Sequence, residues 1–443
     1  MSKFFGTDGI RRAADDFTPE FLRAVVRGLV QYGEKVVGSN FKVLVGGDTR
    51  ESSEWIIQDL CEALESLGVE YGSVGVLPTP AINYVFYEMG FDFAIDVTAS
   101  HNPYTDNGIK IFERGSKSGE KLCEDGRDII EAAIDEAKDY ELVATSLRED
   151  LHDEAIEIYT DHLKEYVGEV DFGGLTIGMD CANGAMSVIA SKIFEQLGAK
   201  VSVINADTNY GTGINDDCGS THLEMLKNLV LQESLDFGVA FDGDGDRVLM
   251  VDGNGELVDG DQMIAILVEA MGLKAAAVTV MANQGLLAWA EKADIKLEIT
   301  AVGDQNVAEA MRLYNIPIGG EQSGHVILPG EATGDGMLTA LMITRVVAES
   351  GKNLAELAKV IQKFPQIILN MPATAEQKTA LKNSDSAKKV LLEYDAKLKD
   401  VNGRLLVRPS GTENLIRVTM WGENEEDINT LGEELVDKLK EVL

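Results

Sequence analysis

Cysteine is scarce and scattered: Cys61, Cys123, Cys181 and Cys218 fall in no C-x-x-C spacing. Neither a disulfide framework nor a zinc site is signalled, and free thiols suit a reducing cytoplasm. Long apolar runs are lacking too. The longest uncharged apolar-rich stretch, 275–290, contains Asn283, Gln284 and Gly285 and falls short of the roughly 20 residues a membrane helix needs. The opening MSKFFGTDGIRR has no apolar core of the signal-peptide kind, so a soluble, cytoplasmic protein is expected. Positive charge is the third scarcity: 39 Lys and Arg stand against 75 Asp and Glu, a formal net charge of −36. Such a field repels nucleic acid and anionic membrane surfaces. It would also repel a phosphorylated metabolite unless a local cluster of donors reversed it. A fourth absence, of any G-x-S-x-G, sets serine hydrolysis behind phosphoryl transfer.

What is present suits a large enzyme. The 443 residues, 45% hydrophobic and 26% charged, exceed what one core organises and favour three or four domains. Three stretches, 42–68, 175–198 and 276–293, share one grammar of β-branched run, small or polar turn and amphipathic segment ending near glycine. Repeated βα units of this kind predict α/β domains with mainly parallel sheets. The acidic stretch 131–166 and the run DGNGELVDGD at 252–261 are the expected boundaries, giving domains at 1–150, 151–252, 253–364 and 365–443. The last differs in kind: short strands RLLVRPSG and LIRVTMWG precede a helix on which Ile428, Leu431, Leu435, Leu439 and Val442 recur at spacings of three or four.

Four strings carry chemistry. DVTASHNPYTDNGIK (96–110) places Ser100 after the run FAIDVTA, at the carboxyl end of a predicted strand where open α/β sheets bind ligands. Ser100 is thus a candidate nucleophile or phosphoryl carrier. His101 and Asn102 read equally as turn chemistry. Lys110, between Ile109 and Ile111, faces away from them on a strand and is either a cleft lysine or an exposed one. FDGDGDR sets Asp242, Asp244 and Asp246 at alternate positions around two glycines. An EF-hand is excluded, because its sixth position is Arg247 and its twelfth Gly253; a compact oxygen site for Mg²⁺ fits better, with a solvated acidic turn as the alternative. GGEQSGH (319–325) offers Glu321, Ser323 and His325 to sugar hydroxyls on a glycine-flanked loop. GRLLVRPSGTENLIRV supplies the donor cluster that the net charge demands: Arg404, Arg408 and Arg417 with a turn of Ser410, Gly411 and Thr412 suited to a tetrahedral anion. An ordinary Pro-Ser-Gly hairpin is the competing reading.

In this order and spacing, FGTDGIR, TASHNP, FDGDGDR, GGEQSGH and RPSGTE resemble the α-D-phosphohexomutase family over essentially the whole chain. The resemblance implies a heart-shaped protein, three similar α/β/α mixed-sheet domains plus a smaller C-terminal α+β domain around a central cleft. It implies interconversion of the 6- and 1-phosphates of a hexose, with GEQSGH pointing to the glucosamine branch over the glucose and mannose branches. Ser100 would be the phosphoserine, and Asp242, Asp244 and Asp246 would hold Mg²⁺ together with the oxygen on Ser100. Glu321 and Ser323 would contact sugar hydroxyls, and Arg408, Ser410, Gly411, Thr412 and Arg417 the non-reacting phosphate. Arg11, His101, Lys110, Arg247 and His325 would line the reaction centre. Glucosamine 1,6-bisphosphate is the implied intermediate and activator, and a monomer or homodimer acting on a small phosphosugar is expected. Four positions depart from the family pattern: Arg12, Gly47, Gln305 and Asn414. Gly47 and Gln305 are expected to remove cations near the cleft.

Overall fold

The computed structural model describes residues 3–6, 8–115, 119–136, 150–209, 211–400, 402–410 and 414–443. Three sheets repeat one wiring. In the first, Glu70–Val76, Lys42–Gly47, Phe93–Val97 and Asp106–Arg114 lie side by side, the first three parallel and the last antiparallel. In the second the same order is Lys200–Ile204, Thr176–Asp180, Phe237–Phe241 and Val248–Asp252. In the third it is Lys296–Thr300, Ala275–Thr279, Gly319–Gly320 and Val326–Ile327. The βα units at 42–68, 175–198 and 276–293 supply the parallel strands, as the pattern predicted. The sheets are mixed rather than mainly parallel because each ends in a hairpin, which needs only a short turn where a parallel partner needs a crossover.

That hairpin positions the chemistry. Its loop is 98–105 in the first sheet, 242–247 in the second and 321–325 in the third, so three of the motif strings occupy one topological place. Phe93–Val97 and Phe237–Phe241 are buried along their whole length. Continuous apolar runs of this kind belong to central strands covered on both faces. One apolar cluster runs across the three sheets, taking in Phe86, Tyr159, Phe194, Phe241, Ile264 and Leu341. Within it the helix His152–Val167 packs on both Thr79–Glu88 and Gly336–Ser350.

The C-terminal sheet is all antiparallel, in the order Gln366–Pro372, Leu415–Trp421, Arg404–Pro409, over a core of its own. The helix Glu425–Val442 buries Ile428, Leu435 and Leu439 as the spacing required. The helices Ala375–Asn383 and Asp385–Lys399, which the sequence reading missed, start at Thr374 and Ser384, whose hydroxyls accept backbone N–H bonds.

Candidate active site

Ser100 lies three residues past the strand Phe93–Val97, with φ of 53°, and is fully buried. A side chain in this left-handed region costs about 1–2 kcal/mol, so the surroundings must hold it there. Its N–H donates to Thr98 Oγ1 at 2.9 Å, and Thr98 Oγ1 donates to Asp48 Oδ2 at 2.6 Å. Asn102 N donates to Ala99 O and Asn102 Nδ2 to Asp106 Oδ2. Turn chemistry and site chemistry therefore share this segment. The hydroxyl donates to Asp242 Oδ2 at 2.8 Å.

The loop 242–247 brings the carboxylates of Asp242, Asp244 and Asp246 within 4.8 Å of one another, all buried. A Cβ on Gly243 would stand 2.6 Å from Ser100 O, so glycine is what lets the two loops meet. Lys110 is 3% exposed, not a surface lysine, and its Nζ donates to Asp244 Oδ2 at 2.7 Å and Asp246 Oδ2 at 3.1 Å, with Asp8 at 3.3 Å. Gly9 permits this approach, since a Cβ there would lie 2.3 Å from Ile109 O. Burial works against the charge on Lys110, yet Asp244, Asp246, Asp8 and Asp96 outweigh it and hold the ammonium well above the usual lysine range. Burial, then Asp244 and Asp246, push the Asp242 carboxyl well up. Asp244 Oδ1 and Asp246 Oδ1 are buried with no hydrogen-bond partner among the described residues. Three carboxylates with two orphaned oxygens fit a hard divalent cation, and a metal cofactor accords with this donor set.

His101 Nδ1 lies 3.3 Å from Ser100 Oγ and accepts from Arg247 Nη1 at 2.9 Å. Burial, then Arg247 and Arg11, push its pKa down to about 4, so the imidazole is neutral at pH 7. Arg11 donates to Asp8 Oδ2 at 2.6 Å. Arg247 is within electrostatic reach of Glu321. The third hairpin joins the second directly: Val248 N donates to Gly324 O, and Gly336 N to Gly245 O. His325 is buried, accepts from Gly334 N at 3.2 Å and lies 3.8 Å from Asp304. Glu321 Oε1 accepts from Gly303 N, and Ser323 is exposed on the same loop. Ser100, His101, Lys110, Arg11, Asp242, Asp244, Asp246, Arg247, Glu321 and His325 thus form one connected centre.

Arg408, Ser410 and Arg417 stand in the fourth sheet. Arg408 and Arg417 are register partners on adjacent strands, and like charges placed opposite are destabilising. Burial, then Arg417, lower the Arg408 pKa, and Arg408 Nε is buried without a partner among the described residues. Their described contacts stay within this sheet and the helix 375–383: Arg417 Nε to Asn370 Oδ1, Ser410 N to Leu415 O, Lys378 Nζ to Ser410 O. Gly411 and Thr412 lie outside the described residues. Arg404 does not belong to the donor cluster: its guanidinium lies 3.9 Å from the Trp421 ring and donates to Val280 O and Ala282 O, fastening this sheet to the third.

Surroundings bear on two of the departures. Gly47 sits inside a buried strand where a Cβ would lie 2.5 Å from Val97 O, so this backbone holds glycine there. At Gln305, Lys121 supplies the charge, reaching Asp8 Oδ1 at 2.5 Å and also bonding Asp304. Arg12 stacks over Phe21, and Asn414 O accepts from Ala373 N. The sequence reading missed Asp8, Asp48, Arg50, Thr79, Lys121, Asn215 and Asp304. Thr79 caps the contact between the first two loops, with Oγ1 at 2.8 Å from Asp244 Oδ2. Asp8 and Asp48 were visible as charged residues beside glycine in FGTDGIR and VGGDTR; the others carry no local signal.

Comparison with known proteins identifies the family. Family models for phosphoglucomutase/phosphomannomutase match along the chain: α/β/α domain I over 2–141, domain II over 157–255, domain III over 259–364 and the C-terminal domain over 342–438. Among curated relatives, phosphoglucosamine mutase of Caldicellulosiruptor bescii is 41% identical, covering 99% of each chain. That of Brevibacillus brevis is 40% identical over the full length of both. In fold, the chain is similar to a phosphoglucomutase/phosphomannomutase family protein from Burkholderia thailandensis, with a TM-score of 0.79 at 21% identity, covering 98% of this chain and 97% of that one. It is also similar to the N-acetylphosphoglucosamine mutase of Aspergillus fumigatus, solved with GlcNAc-6P and magnesium, with a TM-score of 0.67 at 16% identity, covering 99% and 96%. The chain belongs to the phosphoglucomutase/phosphomannomutase family of α-D-phosphohexomutases.

Proposed function

We propose that the chain is a phosphoglucosamine mutase, an isomerase that interconverts glucosamine 6-phosphate and glucosamine 1-phosphate through phosphorylated Ser100 and a bisphosphate intermediate. The observation that carries this reading is the 2.8 Å bond from the Ser100 hydroxyl into the carboxylate triad at Asp242. The relatives' names support glucosamine as the sugar, and Gln322 keeps its amide 3.4 Å from Asp259 beside the sugar-reading Glu321 and Ser323. In the same reading glucosamine 1,6-bisphosphate serves as activator, and the enzyme works in the cytoplasm as a monomer or homodimer.

Mg²⁺, held by Asp242, Asp244, Asp246 and the Ser100 oxygen, would supply positive charge against that building on the transferring group. The protein's own part is positioning and fixed charge. Arg408, Ser410, Gly411, Thr412 and Arg417 bind the phosphate that does not react. The sugar's free hydroxyl then attacks phosphorus, forming a bond between that sugar oxygen and phosphorus as the bond from phosphorus to Ser100 Oγ breaks. Neutral His101 is the acceptor we assign for the hydroxyl proton; Lys110, kept charged by its carboxylates, neutralises phosphate instead. His101, 3.3 Å from Ser100 Oγ, returns that proton to the departing serine oxygen; the bisphosphate turns over and the steps reverse, Ser100 Oγ attacking the other phosphate and giving its proton through His101 to the departing sugar oxygen.

A coupled assay for glucosamine 1-phosphate, run on wild type and Ser100→Ala with and without Mg²⁺, tests the reading. Turnover by the wild type with Mg²⁺ alone is expected. Equal turnover by Ser100→Ala removes the carrier, faster turnover of mannose phosphates removes the sugar assignment, and stoichiometric release of free phosphate replaces mutase with phosphatase.

A further inference from the structure

We infer that Arg50 and Asn215 form a two-domain clamp on the backbone of the carrier serine, and that this clamp sets the rate of phosphoryl transfer without touching sugar or phosphate. The inference rests on Ser100 being the carrier. Arg50 is 2% exposed, and all five of its guanidinium N–H donors are used. Nη2 donates to Ser100 O at 2.9 Å and Asn102 O at 2.8 Å, Nη1 to Asp106 O at 3.0 Å and to Pro103 O, and Nε to Asp48 Oδ2 at 2.9 Å. From the second domain, Asn215 Nδ2 donates to the same two carbonyls, Ser100 O at 2.9 Å and Asn102 O at 3.1 Å. Asp48 meanwhile holds the other side of the Ser100 residue, through Thr98 Oγ1 to the Ser100 N–H. The carbonyl and the N–H of one left-handed residue are therefore fixed by a single Asp48–Arg50 pair.

The strands on either side of the loop are already paired in register, so these bonds add little to the sheet. What they fix is the direction of the Ser100 side chain toward Asp242. The second domain is tied to the same segment by Thr49 Oγ1, which donates to Asn183 O at 2.5 Å, and by Gly243, whose missing Cβ would fall 2.6 Å from Ser100 O and 2.8 Å from Asn215 Nδ2. Serine and carboxylates come from different domains, and the clamp is where their relative position is set. Arg50 and Asn215 are positioning residues: a displacement of about 1 Å at a reacting atom costs on the order of 10²-fold in rate.

Steady-state kinetics on full-length Asn215→Ala and Arg50→Lys, with thermal unfolding and intact-mass analysis of phosphorylation, test the clamp. Asn215→Ala, which leaves Arg50 in place, is expected to lower kcat by about 10–100-fold with KM for glucosamine 6-phosphate and Tm nearly unchanged. Arg50→Lys, with three donors for five sites, is expected to lose more. Arg50→Ala, where folded, should regain kcat when millimolar guanidinium is added. Wild-type kcat in Asn215→Ala, or a kcat loss that follows Tm or appears as KM, overturns the clamp. A wild type that turns over with no phosphoryl group on Ser100 overturns the carrier reading instead, so the two failures are told apart.

Discussion

The segments at Ser100 and at Ser410 each follow a strand that pairs antiparallel with the next one, and their surroundings are built in opposite ways. Around Ser100 the polar groups are buried and bonded across two domains, with Lys110 balancing Asp244 and Asp246 and Arg50 spending every donor. Around Ser410 two arginines face each other across adjacent strands, half-buried, and one keeps an orphaned Nε. The first is organised before any ligand arrives; the second, in the reading proposed above, receives the substrate's anion. Chemistry on one fixed phosphoryl group rewards rigidity. Recognition that must release a bisphosphate and take it back reversed rewards a site whose stability depends on its ligand.

Substitutions can break or sharpen that contrast. Ser100→Ala should abolish mutase turnover, by on the order of 10⁴-fold or more, while binding of glucosamine 6-phosphate, followed by calorimetry, persists at the fourth sheet. Loss of binding together with turnover would show that the two hairpins are not separable. Asp244→Asn comes next: with one carboxylate of the triad neutralised, the Mg²⁺ needed for half-maximal activity should rise by about 100-fold. Chelation of wild type should likewise remove activity that added Mg²⁺ restores. Arg417→Ala should act on the other side of the contrast, raising KM by about 10–100-fold, the loss of one charge-assisted bond of ~1.5–3 kcal/mol, with kcat within a few-fold. If kcat fell instead at constant KM, the C-terminal hairpin would belong to the organised centre.

The same contrast explains how far the sequence could be read. Chemistry that is compressed into one string was legible: Ser100 after a buried run, three aspartates at alternate positions, Arg408 and Arg417 in an otherwise acidic chain. Relations between strings were not. Lys110 reads as an exposed strand residue because its partners, Asp244 and Asp246, lie more than a hundred positions away. The third hairpin was hidden because its strands, Gly319–Gly320 and Val326–Ile327, are two residues each, too short for periodicity to register. Arg50 escaped notice because most of its targets are backbone carbonyls, which no residue letter announces. Arg404 looked like part of an anion site since charge count does not reveal a guanidinium stacked on Trp421 and bound to carbonyls of the neighbouring domain.

The smallest expected effect lies where the two regions join. Asp261 is fully buried beside the contact between the third and fourth sheets, where Asn283 exchanges bonds with Phe364 and Arg404 reaches Ala282 O. Its Oδ2 accepts from Asn283 N at 2.6 Å, while Oδ1 has no partner. Burial, then the neighbouring Asp259, push its pKa up to about 8 from an ordinary 3.8, against the pull of Asn283 N, Lys363 and Arg404. Between those values the folded chain keeps a proton that the unfolded chain has lost. The contribution is complete below about pH 3.8 and drains away as pH rises through 8. Asp261→Asn retains an acceptor for Asn283 N and cannot ionise. Thermal unfolding should therefore show the variant's Tm gaining on wild type from pH 5 to pH 9, by about a few °C at the alkaline end. A Tm difference that stays flat with pH would place the proton elsewhere.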